Sequence, residues 1–260
     1  MPIVKGLEWT FNTRAKLYDK TRPGYVPELY RDLFAYKPLD VSCCAVEVGI
    51  GTGQATRPVL ETGCCVTAVE YGAELAAVCR EKFQGYPNFS VVTGKFEETA
   101  LAEEQWDLVY SASAFHWIPE EIGYKKVYAL LKPGGAFARF ANHPNRDLSR
   151  PDMYEALQEV YAVYMPGTRS DKIYGEEEAR ARAEIARTYG FEDIQYKLYH
   201  RVRTFAAEEY VQLLGTYSDH VAIEEERRKQ FFAEIRNVIE KFGGRISIYD
   251  TLDLEMARKI

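Results

Sequence analysis

Apolar residues in this chain gather in short runs separated by turn formers and amphipathic stretches. Cys43 to Val48 is a compact β-branched run, and Gly49-Ile50-Gly51-Thr52-Gly53-Gln54-Ala55-Thr56 follows it. That order predicts a strand, a tight glycine turn and the start of a helix. Cys65 to Glu70 predicts the second strand, Ala73 to Phe83 an alanine-rich helix, and Phe89 to Gly94 the third strand. Trp106 to Ala112 is the fourth strand and Pro119 to Leu131 a helix. Lys132-Pro133-Gly134-Gly135 reads as a turn before a fifth strand, Ala136 to Asn142. Strands alternating with helices at this spacing predict a parallel sheet with helices on both faces.

The flanking pattern is more helical. Phe11 to Lys20 reads as a polar helix broken at Thr21 to Tyr25. Pro27 then opens a helix through Tyr36 with Leu29, Leu33 and Phe34 on one side. After residue 142 the alternation stops. Pro151 to Tyr164 and Glu176 to Tyr189 read as helices, the second stopped by Gly190. A sixth strand falls within Phe191 to Phe205. Ala206 to Tyr217 and Ala222 to Phe242 read as helices split by Ser218-Asp219-His220, and Arg245 to Leu252 alternates as a final strand. The expected organisation is one domain over 1–260, with an N-terminal arm (1–40) and a core (41–142). Insertions at 143–175 and 206–244 leave the fifth and sixth strands at their carboxyl ends, and are expected to cover a ligand there. The run Glu224 to Lys229 is expected to be a solvated helix face.

Composition changes this picture mainly by exclusion. The 260 residues are 47% hydrophobic and 28% charged, ordinary for a globular chain. A net charge of −6 argues against a broad phosphate-binding surface, so no nucleic-acid partner is expected. No apolar run reaches the roughly 18 residues of a membrane span. Met1 to Gly6 lacks the features of a signal peptide, so the expectation is a cytoplasmic monomer or homodimer without a membrane partner. The five cysteines, at 43, 44, 64, 65 and 79, lie between the first strand and the second helix of the core. Neighbouring cysteines on a strand face opposite ways, so no metal site is expected, and the set reads as small buried residues. An odd count also argues against a disulfide framework.

The candidate chemistry sits at strand ends. Glycines at 49, 51 and 53 let backbone approach a ligand. A dinucleotide fingerprint would place its third glycine one residue later. Glu70 lies about 20 positions on, where a carboxylate accepts ribose hydroxyls. Together these predict an adenosine ligand without a pyrophosphate. Gly94-Lys95-Phe96-Glu97 ends the third strand, where a side chain can flank an adenine, although Phe96 is equally readable as core. Phe115, His116 and Trp117 follow the fourth strand at the predicted switch in strand order, a pocket mouth. The competing reading packs Phe115 and Trp117 between helix and sheet.

These motifs together resemble class I S-adenosylmethionine-dependent methyltransferases, in particular the small-molecule group that includes trans-aconitate-type enzymes. The resemblance rests on Tyr18-Asp19-x-x-Arg22-Pro23-Gly24-Tyr25, Val46 to Thr56, Ala68-Val69-Glu70, Gly94-x-Phe96-Glu97, Phe115-His116-Trp117-Ile118 and Leu130 to Gly135. It implies a Rossmann-like three-layer α/β sandwich, with six parallel strands, a last antiparallel strand, and helical caps. It also implies S-adenosylmethionine as cofactor and S-adenosylhomocysteine as product. Glu47, Gly49, Gly51, Gly53 and Gln54 would border the methionine moiety and Glu70 the ribose. Phe96 and Glu97 would flank the adenine, Ser111 would sit beside the sulfonium, and Tyr18 and Arg22 would close over the cofactor. His116 is the candidate base, with His220 second. Tyr217 and His220 join Phe115, His116 and Trp117 as candidate substrate contacts, and Arg22, Arg139 and Arg169 are candidate cations for a carboxylate acceptor. The leading expectation is methylation of a small molecule. The alternatives are a cofactor-binding sensor or scaffold without turnover, a tRNA or protein methyltransferase, and a nicotinamide oxidoreductase, the last disfavoured by the glycine spacing.

Overall fold

The computed structural model describes residues 15–260. The Met1 to Gly6 reading and the first part of the Phe11 to Lys20 helix, up to Arg14, lie outside the described residues. Helix α1 covers Ala15–Thr21 and α2 covers Pro27–Tyr36. The alternating region then runs β1 (Cys44–Val48), α3 (Thr56–Leu60), β2 (Cys65–Glu70), α4 (Ala73–Lys82), β3 (Phe89–Thr93) and β4 (Trp106–Ala112). A 3₁₀ turn at Phe115–Trp117, α5 (Glu120–Leu130) and β5 (Leu131–Asn145) complete it. Next come α6 (Pro151–Tyr164), α7 (Glu176–Thr188), β6 (Glu192–Ala206), α8 (Ala207–Leu214), α9 (Ser218–Val221), α10 (Glu225–Lys241) and β7 (Arg245–Arg258).

Seven strands form one sheet in the order β3-β2-β1-β4-β5-β7-β6. Pairings from β3 through β5 are parallel, with Cys44 opposite Cys65, Ala45 opposite Leu108 and Ser111 opposite Arg139. β7 runs the other way. The Gly134 N–H donates to the Lys259 carbonyl at 2.7 Å, and the Lys259 N–H donates to Gly135 at 3.0 Å, so the start of β5 meets the end of β7. The order reverses between β1 and β4, which is where open α/β sheets bind ligands.

Period-two alternation explains the two cores of this region. Ala45, Val66, Ala68, Leu108 and Tyr110 face a cluster with Leu29 and Leu33 of α2 and Val59 of α3. Val46, Val48, Val69, Val109 and Phe137 face the opposite cluster, with Val127 and Leu130 of α5 and Ala186 of α7. Both faces are covered, so the central strands need apolar residues at nearly every position.

The chain divides into two compact units. One holds 23–142, 174–199 and 252–260. The other holds the described residues up to Arg22, 143–173 and 200–251; β5, β6 and β7 each pass from one unit into the other. In this second unit Met153, Leu157 and Val160 of α6 pack with Phe231, Ile235 and Ile239 of α10, each at helical spacing.

Several expectations are corrected. Lys132 to Gly135 lies within β5 rather than before it, although Gly134 keeps a positive φ of 77°. Ser218-Asp219-His220 is helical; the breaks fall instead at 215–217 and at 222–224, the second closed by Glu224, whose carboxylate accepts the Glu226 and Arg227 N–H groups as an N-cap. The cysteines are not uniformly buried: Cys64 and Cys79 are, Cys43 and Cys44 are half-buried, and Cys65 is exposed. The reason is position, since Cys44 and Cys65 open their strands at the sheet's amino edge. The Glu225, Glu226, Arg227 and Lys229 side chains are exposed, as expected of a solvated face.

Candidate active site

Gly49, Gly51 and Gly53 all adopt positive φ, at 69°, 61° and 79°. A Cβ on Gly49 would lie 2.4 Å from the Ala114 Cβ, and one on Gly53 would lie 2.3 Å from the Phe83 ring. The loop is therefore bare for two reasons: its backbone is left-handed, and the segment after β4 crosses directly over it. The Gly49 N–H donates to the Val69 carbonyl at 2.9 Å, fastening the end of β1 to β2.

Glu70 ends β2 and is 7% exposed. Its Oε2 accepts the Gly51 N–H at 2.8 Å and its Oε1 accepts the Gly72 N–H at 2.8 Å. Burial raises its pKa above the ordinary carboxylate value; the backbone donors at Gly72, Gly51 and Tyr71 pull the other way. The two oxygens offer about four lone-pair sites and the Gly51, Gly72 and Tyr71 N–H groups approach them, so acceptor capacity remains for a hydroxyl of a vicinal diol.

Glu47 is a second buried acid on the neighbouring strand. Its Oε2 accepts the Thr56 and Tyr110 hydroxyls, each at 2.7 Å, joining β1 to α3 and β4. Burial pushes its pKa up to about 7, against those two hydrogen bonds. Thr52, within the loop, is buried; the Gln54 Nε2 donates to its hydroxyl at 2.6 Å and the Lys82 ammonium to its carbonyl at 2.9 Å.

Beyond β4 the predicted residues separate. The Ser111 hydroxyl is 1% exposed and donates to the Val48 carbonyl at 2.8 Å. Phe115 turns inward against Tyr124 and Phe137, so it belongs to the core rather than to a pocket mouth. Phe96 is likewise 4% exposed in that core, with the Lys126 ammonium 5.0 Å from its ring centre. Lys126 also donates to the carbonyls of Phe96, Glu97 and Thr99, which shapes this segment while Glu97 stays half-exposed. His116 is exposed and Trp117 half-buried, with their rings 5.2 Å apart.

Most of the remaining predicted residues belong to the second unit. Arg22 donates through Nε and Nη2 to the hydroxyl and carbonyl of Thr216, at 3.0 and 2.8 Å. Its guanidinium lies over the Tyr18 ring at 5.0 Å and the Tyr217 ring at 4.4 Å. His220 is fully buried, with Nδ1 2.7 Å from Asp219 and Nε2 3.0 Å from the Tyr161 hydroxyl. Both ring nitrogens are engaged, and the ring stacks on Phe231. Arg169 forms a fork on Glu155 at 2.8 and 2.9 Å. In the first unit, Arg139 is sequestered by Glu255 and donates to the Arg182 carbonyl at 2.6 Å.

Sequence reasoning missed one feature of the β4 end. Ser113 has a φ of 56°, uncommon for a residue with a side chain, and its exposed hydroxyl is 2.8 Å from the Tyr25 hydroxyl. The Tyr25 ring meets Phe140 edge-on at 4.8 Å. The aromatic after Arg22-Pro23-Gly24 was a visible signal; its partner was not.

Residues 46–139 match a family model described as a methyltransferase domain. An uncharacterized methyltransferase of Schizosaccharomyces pombe is 27% identical over 232 residues, covering 89% of this chain and 87% of its own. One from Geobacillus kaustophilus is 31% identical over 162 residues, 58% of this chain and 73% of its own. Among solved structures, the phosphoethanolamine N-methyltransferase 2 of Haemonchus contortus superposes with a TM-score of 0.57 at 16% identity. That structure carries phosphomonomethylethanolamine and S-adenosylhomocysteine, and the match spans all of this chain and 61% of that one. The chain belongs to the class I S-adenosylmethionine-dependent methyltransferases. Its residues fit the cofactor: a glycine loop in left-handed backbone, beside a buried acid with acceptor capacity to spare.

Proposed function

We propose that this enzyme transfers the methyl group of S-adenosylmethionine to a small-molecule acceptor, with Glu70 as the anchor of the cofactor's ribose. The observation that carries this is the Glu70 carboxylate, held in place by the neutral backbone donors of Gly51, Gly72 and Tyr71 and, among the described residues, by no cation. The chemistry supplied by bound S-adenosylmethionine is an electrophilic methyl on a sulfonium that leaves as a neutral thioether. The protein's part is alignment and exclusion of water. The Gly49 to Gly53 backbone borders the methionine end, Glu47 braces that loop through Thr56 and Tyr110, and Glu97 lies toward the adenine. His116, exposed after β4, takes the proton of a hydroxyl or amine acceptor.

A small acceptor is supported by the net charge of −6, which disfavours a polyanionic substrate. It is supported as well by the Haemonchus contortus enzyme, whose bound acceptor is a small phosphomonoester.

Calorimetric titration with S-adenosylmethionine and S-adenosylhomocysteine tests the reading. Wild type is expected to bind both, and Glu70→Ala to weaken both by about 100-fold, the loss of a hydrogen bond to a charged group. An unchanged Glu70→Ala affinity would remove Glu70 from the site. A screen of small acceptors, carboxylates first, then tests the substrate class; turnover on tRNA or protein alone would overturn it.

A further inference from the structure

The amino edge of the sheet, away from the glycine loop, carries four of the five cysteines. Alternation sorts them into two cross-strand pairs. Cys43 and Cys64 belong to the face with Ala45 and Val66, where Cys64 is fully buried in the core. Cys44 and Cys65 are direct partners in the parallel register of β1 and β2, so their side chains leave the same side of the sheet. The Cys65 N–H donates to the Cys43 carbonyl at 2.9 Å, which fixes that register at the strand ends.

We propose that Cys44 and Cys65 are a reversible oxidation site, a dithiol that closes to an intramolecular disulfide when it meets a peroxide. Adjacent strands lie about 4.8 Å apart, inside the Cα separation of roughly 4.4–6.8 Å that a disulfide spans. Access favours this pair over the other: Cys65 is exposed and Cys44 half-buried, whereas Cys64 is sealed. The two thiols sense each other, since Cys65 raises the Cys44 pKa by charge and by hydrogen bonding after burial has already raised it. In the other pair burial pushes the Cys64 thiol up to about 12, so it is inert at neutral pH. The Lys132 ammonium, which pairs with Asp107 at 2.8 Å, favours the Cys44 thiolate. Among the described residues no group of three or more His, Cys, Asp or Glu side chains gathers as a metal site, which leaves the pair to thiol chemistry.

The exposed Cys65 thiol yields its proton and its sulfur attacks one peroxide oxygen; the O–O bond breaks, and the leaving hydroxide takes up that proton as water, giving a sulfenic acid. The Cys44 sulfur then attacks the Cys65 sulfur and the S–O bond breaks. The departing hydroxide takes the Cys44 proton, so one hydrogen peroxide and two thiols become a disulfide and two waters. Added dithiol reopens the bond by thiol–disulfide exchange, because the exposed Cys65 sulfur is open to attack.

Intact-mass and peptide mapping after brief treatment with hydrogen peroxide tests this on the wild-type chain. The expected result is loss of two hydrogens and a Cys44–Cys65 cross-linked peptide, reversed by dithiothreitol. Cys44→Ser is expected to trap oxygen adducts on Cys65, and Cys65→Ser to leave Cys44 reduced. A Cys43–Cys64 link, intermolecular dimers, or oxygen adducts on wild-type Cys65 with Cys44 still free to alkylate would each overturn the proposal. The wild-type map decides the question even where a variant folds poorly.

Discussion

Two regions of the same sheet bury acids and treat them in opposite ways. At the carboxyl ends of β1 and β2, Glu47 and Glu70 are held, among the described residues, by hydroxyls and backbone N–H groups alone. On β7, Asp253 and Glu255 are met by arginines. Arg182 lies 3.0 Å from Glu255 and 3.6 Å from Asp253, Arg139 pairs with Glu255, and the Tyr174 hydroxyl donates to Asp253 at 2.6 Å. Burial raises the Glu255 pKa, and the two guanidiniums pull it back. A buried acid matched by cations is architecture, since its charge is answered within the fold. A buried acid given only neutral donors is left electrostatically incomplete, and a ligand can complete it.

The most severe way to test the comparison is to break the matched region. Arg139→Met leaves Glu255 short of a cation and is expected to lower stability by about 4 kcal/mol in urea unfolding. Arg139→Met with Glu255→Leu should lose clearly less than the two single changes added together; strict additivity would mean the pair is not coupled.

Next in size is the pH signature of Glu47. Its folded pKa, about 7, stands above the ordinary 4.5, so the folded state holds a proton that the unfolded state releases. That stability is complete below about 4.5 and is lost as pH rises through about 7, roughly 3 kcal/mol in all. Denaturant midpoints at pH 5 and pH 8 should show the fall in wild type and a flatter profile in Glu47→Gln. Equal slopes in both proteins would assign the pH dependence elsewhere.

Smaller again is Glu70→Gln, which keeps shape but turns one acceptor into a donor facing the Gly51 or Gly72 N–H. Affinity for S-adenosylhomocysteine is expected to drop about tenfold, near 1.4 kcal/mol, by calorimetry. The smallest structural effect belongs to His116→Ala. As an exposed residue it should shift stability by less than about 0.5 kcal/mol and leave cofactor binding intact. Its consequence should appear only in turnover, as loss of the acidic limb of the pH–rate profile with a hydroxyl or amine acceptor.

Much of the alternating region was legible because β1, β2 and β4 are apolar on both faces and glycines punctuate them. The placement of Glu70 beside the glycine loop was legible because its distance from the loop follows from one β-α-β unit. Phe96 and Phe115 were not, since an aromatic beside a strand end looks the same in sequence whether it turns toward ligand or core. The Tyr25–Ser113 contact joins residues 88 positions apart and depends on a left-handed serine, for which no local pattern exists. Strand lengths were underestimated for β5 and β7. Turn formers at 132–135 were accommodated inside the ladder, and the acids of β7 break the apolar pattern while being answered by arginines elsewhere.

The placement of β7 has a further consequence, in time rather than space. It lies between β5 and β6 in the sheet but follows both in the chain. As the polypeptide leaves the ribosome, β6 emerges with no sheet neighbour, and β5 keeps an open edge until residues 245–258 arrive. Arg139 and Arg182 wait through the same interval for their carboxylates. Closing the sheet is thus a late, long-range event, and a nascent chain stalled before residue 245 carries an unfilled slot between two strands, the type of edge that chaperones shield.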